Sequence, residues 1–265
     1  MLIAQLTDLH LGAPGHLAYG QVDPAANFRA TLEAVAALAT RPDMIVLTGD
    51  LADNGLEEAY TWLDAELARH DIPAYVIPGN HDLREPMRAA FGHRGYLPED
   101  GFMQYVVDAG PLRVVALDTV IEYQTDGRLC ADRLAWLSNR LAEDRTTPTM
   151  VMMHHQPFLT GGPFDAMGID GREDFEAVIA QAPNVERIIC GHMHRAVTIA
   201  WAGTTVSVSP ATAFQFDLDQ ADPTTFRVRA EPPAYQLHHW RPETGLVSYT
   251  ATVMEAPVLK ERANG

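Results

Sequence analysis

Short apolar runs recur along the chain, and a block of polar residues follows each of them. Five such runs are LIAQL, MIVLT, AYVIP, MVMM and RIIC. Their length and their β-branched and aliphatic residues predict buried strands that end in loops. Because ligands of α/β proteins bind beyond the carboxyl ends of strands, we expect the polar blocks to meet at one edge of a sheet core.

Segments with helical spacing of apolar residues alternate with the first three strands, as in βαβ units. Hairpins are predicted further along, where FMQYVVD and LRVVALD flank Gly110-Pro111, and where VTIAW and TTVSVS flank Ala202-Gly203. The chain is therefore predicted to be α/β, a four-layer α-β-β-α sandwich of two mixed sheets flanked by helices. The predicted helices span Phe28 to Ala39, Leu56 to Ala68, Ala131 to Ala142 and Glu173 to Gln181.

The C-terminal part of the chain has a different character. Residues 1–210 are expected to form the core, while residues 211–265 hold the strand-like runs FRVRA, AYQLHHW and LVSYTATV. These runs either complete the second sheet or form a small cap used for subunit contact. The sequence leaves both alternatives open.

Seven side chains in the polar blocks are candidate metal ligands. Imidazole nitrogen with carboxylate and amide oxygen, and no thiolate, suits manganese, iron, cobalt or zinc. Residues i and i+2 on an extended segment point the same way, so Asp8 with His10, and His192 with His194, can each present two ligands to one cavity. Asp50 is the expected bridge between two ions. The seven are Asp8, His10, Asp50, Asn80, His154, His192 and His194.

The order of these blocks, DxH, GD, GNHD, H and GHxH, resembles the calcineurin-like metallophosphoesterase superfamily. The chain is most similar to its bacterial branch of class III cyclic nucleotide phosphodiesterases and glycerophosphodiesterases. The resemblance implies two divalent or trivalent ions and homo-oligomers. It gives one ion Asp8, His10, Asp50 and His194, and the other Asp50, Asn80, His154 and His192. Hydroxide held by the metals would attack phosphorus, and His81 would lie beside the leaving oxygen.

The chemistry of His81 agrees with that role. A histidine with an ordinary pKa near 6.5 can give a proton to the alkoxide that leaves when a phosphodiester is cleaved. Its neighbour Asn80, as a metal ligand, would fix where the imidazole sits. Asp82 either orients His81 or caps the helix that begins near Leu83, and the cap is the favoured interpretation.

The substrate-side residues are less well defined by the sequence. Tyr19, in the loop after the first ligand block, is a candidate substrate contact. His155 is a further candidate substrate contact, although it is expected to be structural or to support the ligands rather than to act directly. Phe214 lies in SPATAFQF, where similar enzymes often carry a histidine, so it either packs or forms a wall for an organic substituent.

Composition narrows the range of partners. A net charge of -16 disfavours a groove for long nucleic acid, which needs clustered Lys and Arg. The chain opens on a strand without a basic leader or a long apolar run, so we expect a cytoplasmic protein that makes no membrane contact.

Together these features predict a metal-dependent hydrolase of small-molecule phosphodiesters, cyclic nucleotides or glycerophosphodiesters. A monoester carries one more negative charge and needs extra cations, and only Arg84 and Arg195 lie near the motifs. This scarcity favours diesters. A phosphomonoesterase and a non-catalytic interaction protein on the same fold remain alternatives.

Overall fold

Two mixed β-sheets pack face to face in this computed structural model, which describes residues 1–218, 226–254, 256, 257 and 259. The strands are β1 (Leu2–Leu6), β2 (Met44–Thr48), β3 (Ala74–Ile77), β4 (Tyr105–Ala109), β5 (Leu112–Ala116), β6 (Gly127–Arg128), β7 (Thr149–Met152), β8 (Ile169–Asp170), β9 (Val185–Cys190), β10 (Val197–Trp201), β11 (Thr204–Val208), β12 (Gln215–Phe216), β13 (Val228–Arg229), β14 (Ala234–Arg241) and β15 (Gly245–Thr252).

The first sheet has the order β15-β14-β1-β2-β3, and the second has the order β10-β11-β9-β7-β5-β4. In the first, β1, β2 and β3 are parallel; in the second, β5, β7, β9 and β11 are parallel. Most residues of β1, β2, β3, β5 and β7 are apolar and buried, as expected of parallel strands that are covered on both faces. Both predicted hairpins are present as the antiparallel pairs β4-β5 and β10-β11.

The last two strands complete the first sheet and not the second, while β13 pairs with β12 in a separate two-stranded sheet. The antiparallel pair β14-β15 adds to β1, with Leu2 opposite His239 and Gln5 opposite Gln236. The reason is that β1 is fully buried and parallel to β2, so its free edge needs a partner strand. The division of the chain at residue 210 stays a prediction.

Helices cover the outer face of each sheet. They are α1 (Pro24–Ala36), α2 (Glu57–Ala68), α3 (Arg84–Phe91), α4 (Ala131–Glu143) and α5 (Arg172–Ala180). Apolar side chains of α1, α2 and α3 pack against β1, β2 and β3, while those of α4 and α5 pack against β5, β7, β9 and β11. A third apolar cluster, including Ile3 and Val46 from one sheet and Val114 and Met150 from the other, fills the space between the sheets. The four-layer sandwich is therefore confirmed.

The first helix begins four residues before its predicted start. Pro24 occupies its first turn, and the Asp23 carboxylate accepts a hydrogen bond from the Ala26 amide at 2.9 Å. These are strong start signals that outweigh the apolar spacing from which Phe28 was taken as the first residue. None of the helices in the described ranges has the length and apolar character needed to cross a membrane.

A row of polar side chains crosses the apolar space between the sheets. The amide of Gln5 donates to Thr48 Oγ1 and to the Cys190 carbonyl, both at 2.9 Å. Its carbonyl oxygen accepts a hydrogen bond from His238 Nε2 at 2.9 Å, and Ser248 Oγ lies 2.7 Å from His238 Nδ1. His238 is thus a core residue with satisfied hydrogen bonds.

The buried His238 predicts an acid-dependent loss of stability. Burial lowers its pKa to about 3, whereas an unfolded histidine titrates near 6.5. Because this pKa is lower in the folded protein, the neutral His238 contributes fully to the free energy of unfolding above pH of about 6.5. This contribution is lost as the pH falls towards 3. Across that window the unfolding free energy of the wild type should fall more steeply than that of His238→Gln, by up to about 1.4 kcal/mol per pH unit. Urea unfolding at several pH values measures both slopes.

The matched control is Asn139→Ala, which changes an exposed side chain on α4 that has no titratable group. Its slope should equal that of the wild type. Equal slopes for wild type and His238→Gln would contradict the burial of a neutral imidazole at this position.

Candidate metal centre

The seven candidate ligands leave their strands on loops with unusual backbone geometry. Five of them have positive φ angles: Asp8 (52°), His10 (47°), Asp50 (51°), His192 (71°) and His194 (47°). Non-glycine residues adopt this left-handed conformation rarely, and its cost is met where the surroundings hold it. Left-handed turns therefore bring Asp8 and His10 together. The sequence had predicted instead that they share one face of an extended segment.

Two glycines allow these loops to approach one another closely. A Cβ atom at Gly79 would lie 2.3 Å from both the amide nitrogen and Oδ1 of Asp50, and one at Gly191 would lie 2.1 Å from Thr7 Oγ1. Neither contact is sterically allowed, so only glycine fits at these two positions. The glycines of the GNHD and GHMH blocks thus serve the packing of the ligand loops.

One group of side chains gathers on the side of the cavity formed by β1 and β9. The ligand atoms of Asp8, His10, Asp50 and His194 all lie within 4.8 Å of one another. His10 Nε2 lies 3.1 Å from His194 Nε2, and His194 Nε2 lies 3.5 Å from Asp8 Oδ1. This is the set that the resemblance assigns to one ion.

A second group shares Asp50 with the first. His154 Nε2 lies 3.4 Å from Asp50 Oδ2 and 3.1 Å from Asn80 Oδ1. The His192 ring centroid is 5.1 Å from that of His154, and its buried Nε2 has no hydrogen-bond partner among the described residues. All seven candidate ligands are therefore brought together around Asp50.

The orientation of the imidazoles shows that the site suits cations. The Nδ1 atoms of His10, His154 and His194 each face an oxygen at 2.8 Å, on Asp53, Thr48 and Phe214 respectively. These oxygens can only accept, so Nδ1–H donates in each ring, and Nε2 is the atom left to carry a lone pair or a second proton. Atoms with lone pairs then face each other across about 3 Å, which requires a proton or a metal ion between them. The residues present fit a metal centre, with ring tautomers fixed from outside.

The charges around this cluster are consistent with that interpretation. Burial raises the pKa of Asp8 to about 6, an effect larger than the opposing one of the nearby His154. Burial alone would also raise the pKa of Asp50, but His154 beside it holds that pKa well below its usual range. Burial lowers the pKa of His192 to about 3 and keeps this ring neutral, the form that binds metals.

Asp53 is a functional candidate that the sequence reasoning missed. Its Oδ1 accepts from His10 Nδ1 at 2.8 Å and lies 3.1 Å from His81 Nδ1, so one carboxylate orients a metal ligand and the candidate proton donor. It also adds a third carboxylate beside Asp8 and Asp50. The available signal was its position three residues after Asp50, in the loop of the GD block.

Asp82 does not cap the following helix, and the favoured interpretation was wrong. The helix begins with Leu83 as its N-cap, without a side-chain cap. The Asp82 carboxylate instead points inward and accepts hydrogen bonds from backbone amides of both ligand loops. Its donors are the amides of Leu51 (3.1 Å), Ala52 (3.0 Å) and Gly79 (2.8 Å) and the hydroxyl of Tyr60 (2.8 Å). It does not orient His81 either, because Asp53 fills that role.

A cavity of about 350 Å³ opens above the cluster. Tyr19 and Phe214 line it, as do His81 and Asn80, so these candidate residues face the substrate space. His155 does not line it: the ring is fully buried, and its Nδ1 lies 2.8 Å from Thr119 Oγ1. The structural interpretation of His155 therefore fits the geometry better than a substrate contact.

Comparison with known proteins agrees with the motifs. The sequence model of the calcineurin-like phosphoesterases matches residues 1–196. The chain is 31% identical over 255 residues to the "Probable glycerophosphodiester phosphodiesterase GpdQ" of Arcobacter nitrofigilis, covering 96% of this chain and 93% of that one. It is 30% identical over 215 residues to the 3',5'-cyclic adenosine monophosphate phosphodiesterase CpdA of Escherichia coli K12, covering 81% and 77%.

Solved structures share the fold. A dimetal phosphatase from Danio rerio superposes with a TM-score of 0.63 at 14% identity, covering 96% of this chain and 99% of that one. A purple acid phosphatase from yellow lupin superposes with a TM-score of 0.65 at 16% identity, covering 98% of this chain and 57% of that one. At these identities the likeness concerns the fold alone.

Asp50→Ala tests whether one carboxylate serves both groups of ligands. Addition of Mn²⁺ at a hundred times its Kd should stabilise the wild type by about 2.7 kcal/mol for each site that it fills, since the ion binds only the folded chain. The variant should lose most of this gain because it removes the shared ligand. Thermal unfolding with and without Mn²⁺, and metal analysis of the dialysed protein, measure the effect.

Asp100→Ala, an exposed aspartate in a surface loop, serves as the control and should keep the full gain. Normal metal content of Asp50→Ala would sink the bridging assignment.

Proposed function

The chain belongs to the calcineurin-like phosphoesterase family, and we propose that it hydrolyses small-molecule phosphodiesters at a binuclear metal centre. The relatives that cover most of the chain are named phosphodiesterases, which supports its assignment as a phosphodiesterase. The observation that carries the proposal is the clustering of four imidazoles with Asp8 and Asp50, in which His10, Asp50, His192 and His194 line an open cavity. A non-catalytic interaction protein would have no need of such a set.

We assign the ligands to two ions that share Asp50. Asp8, His10 and His194 would complete one site, and Asn80, His154 and His192 the other. When bound, two divalent ions supply Lewis-acid stabilisation of the phosphoryl oxygens and an activated water for attack on phosphorus. Manganese, iron, cobalt and zinc all suit these ligands.

The protein's own groups position the reaction. His81 is half exposed to the cavity, with 40% of its side chain accessible, and Asp53 engages its Nδ1. Its backbone amide donates to Asp50 Oδ1 at 2.9 Å, which ties the ring's position to the metal cluster. As a new P–O bond forms with the oxygen of water, the P–O bond to the alcohol breaks. We assign His81 Nε2 as the donor of a proton to that departing oxygen.

The pairing of nearby arginines favours diesters over monoesters. Arg84 donates to Asp118 at 2.7 and 2.9 Å, and Arg195 forms a bidentate pair with Glu231 at 2.8 and 2.6 Å. Among the described residues that line the cavity there is no lysine or arginine. A monoester dianion would thus lack the additional cations that it needs, whereas a diester monoanion needs only the metals.

The first test compares bis(4-nitrophenyl) phosphate with 4-nitrophenyl phosphate, using protein stripped of metal and reloaded with Mn²⁺. The kcat/KM for the diester should exceed that for the monoester by roughly tenfold, the factor that corresponds to 1.4 kcal/mol. A ratio well below one would move the chain to the phosphomonoesterases. Absence of metal-dependent turnover with both substrates would revive the non-catalytic alternative.

His81→Ala tests the proton donor. We expect turnover of an alkyl diester such as glycerophosphoethanolamine to fall roughly 10²- to 10⁴-fold, because its alkoxide needs a proton to leave. Turnover of bis(4-nitrophenyl) phosphate should fall far less, since nitrophenolate leaves as a stable anion. Metal content should remain near that of the wild type. An equal loss on both substrates, or loss of metal, would refute the assigned role.

Cellular location and oligomeric state stay predictions from the sequence and the family resemblance. Small phosphodiesters remain the proposed partners, and long nucleic acid is disfavoured by the net charge of -16.

A further inference from the structure

One side of the cavity is aromatic and faces the metal cluster. We call this surface the aromatic wall and define it by Tyr19, Phe214 and Phe216, all of which line the cavity. The Tyr19 ring centroid lies 5.2 Å from that of Phe214 in an edge-to-face arrangement, and the Phe214 centroid lies 6.3 Å from that of Phe216. Ala18 and Met167 extend the apolar lining beside it. The wall is a continuous apolar surface within the substrate space.

The wall is held rigidly against the proposed ligands. The Phe214 ring centroid lies 4.9 Å from that of His10 and 4.8 Å from that of His194, and its carbonyl accepts from His194 Nδ1 at 2.8 Å. The Phe216 centroid lies 4.6 Å from that of His194. A group resting on this wall would therefore sit at a fixed distance from the phosphorus held by the metals.

Packing explains Phe214 but does not explain Tyr19. The turn that carries Tyr19 is anchored without the Tyr19 side chain, since Ala18 and Val22 form a buried apolar cluster with Ala213 and Phe214. Tyr19 itself is 66% exposed and has a φ of 51°, a conformation that costs a non-glycine residue free energy. A large aromatic side chain held at the rim of a cavity, yet not needed to fix its turn, is suited to contact a ligand.

The cleft has a second part. A second cavity of about 220 Å³ shares His81 with the first, and its lining is completed by amide and apolar side chains, among them Asn54, Gln124, Leu83 and Tyr123. The two cavities therefore meet at His81, beside the metal cluster. A phosphodiester has two substituents, and two adjoining cavities give each of them a separate place.

We propose that the aromatic wall binds a flat, apolar substituent of the diester, an aryl or heteroaryl group, and so selects such diesters over those with two small alcohols. This inference rests on the proposed diesterase function. Stacked and edge-to-face contacts with aromatic rings stabilise a flat group by dispersion and burial, and the described lining carries no lysine or arginine that would favour an anionic substituent.

The test uses two diesters with the same leaving group. Phenyl 4-nitrophenyl phosphate and methyl 4-nitrophenyl phosphate both release nitrophenolate and differ only in the retained substituent. The quantity measured is the ratio of their kcat/KM values, in Mn²⁺-loaded wild type, Tyr19→Ala and Phe216→Ala. Differences in intrinsic reactivity cancel when the ratio of a variant is divided by that of the wild type, as does any general loss of activity.

We expect the phenyl-to-methyl ratio to fall roughly two- to tenfold in each wall variant, the range measured for single aromatic contacts. The control Tyr249→Ala removes a tyrosine that is 56% exposed on β15 and is not part of the cavity lining, and its ratio should equal that of the wild type. Because Tyr19 is exposed, its removal does not threaten folding.

Two results would overturn the proposal in different ways. Unchanged ratios in both wall variants, with active enzyme, would show that the wall does not select the substituent, while leaving the diesterase function intact. Absence of metal-dependent turnover of both diesters by the wild type would reject the diesterase function and this inference with it.

Discussion

The structure depends on one constraint. Several lone pairs and buried carboxylates lie so close together that they repel one another unless positive charge lies between them. His10 Nε2 faces His194 Nε2 at 3.1 Å, and His154 Nε2 faces Asn80 Oδ1 at 3.1 Å, both away from bulk water. Their other ring nitrogens are engaged by outside acceptors, so the rings cannot turn away. This arrangement is unfavourable without a cation and favourable with one. Metal binding and folding of the ligand loops are therefore thermodynamically linked.

The fold supplies this constraint by bringing the ends of strands from both sheets to one place. Asp8 and Asp50 follow strands of the first sheet, while His154 and His192 follow strands of the second. The apolar side chains between the sheets fix the distance between these two pairs. Asp82 also fixes the positions of the ligand loops, because its carboxylate joins the loop after Asp50 to the loop that carries Asn80 and His81. The same loops define the two parts of the cleft, so substrate contacts are positioned by the elements that position the ligands.

Much of this arrangement follows from the sequence, and the exceptions have physical reasons. Strand-forming runs followed by polar blocks identified all seven candidate ligands and the layered sheets. Asp53 was missed because its contact with His10 and His81 depends on a short 3-10 turn, Asp53–Gly55, that no periodic pattern reveals. Asp82 was misread because an aspartate before a helix is compatible both with a cap and with an inward position, and only the location of backbone donors separates the two. The placement of β14-β15 beside β1 is a long-range pairing, which local patterns do not determine.

The central claim is that two metal ions occupy this cluster and share Asp50. Anomalous diffraction from crystals of the Mn²⁺-loaded protein, recorded at the manganese edge, tests it most directly. The account predicts two anomalous peaks, roughly 3.5 to 4 Å apart, with Asp50 between them. One peak adjoins His10 and His194, and the other adjoins His154 and His192. A single peak, or peaks that leave Asp50 without contact to both, would contradict the account.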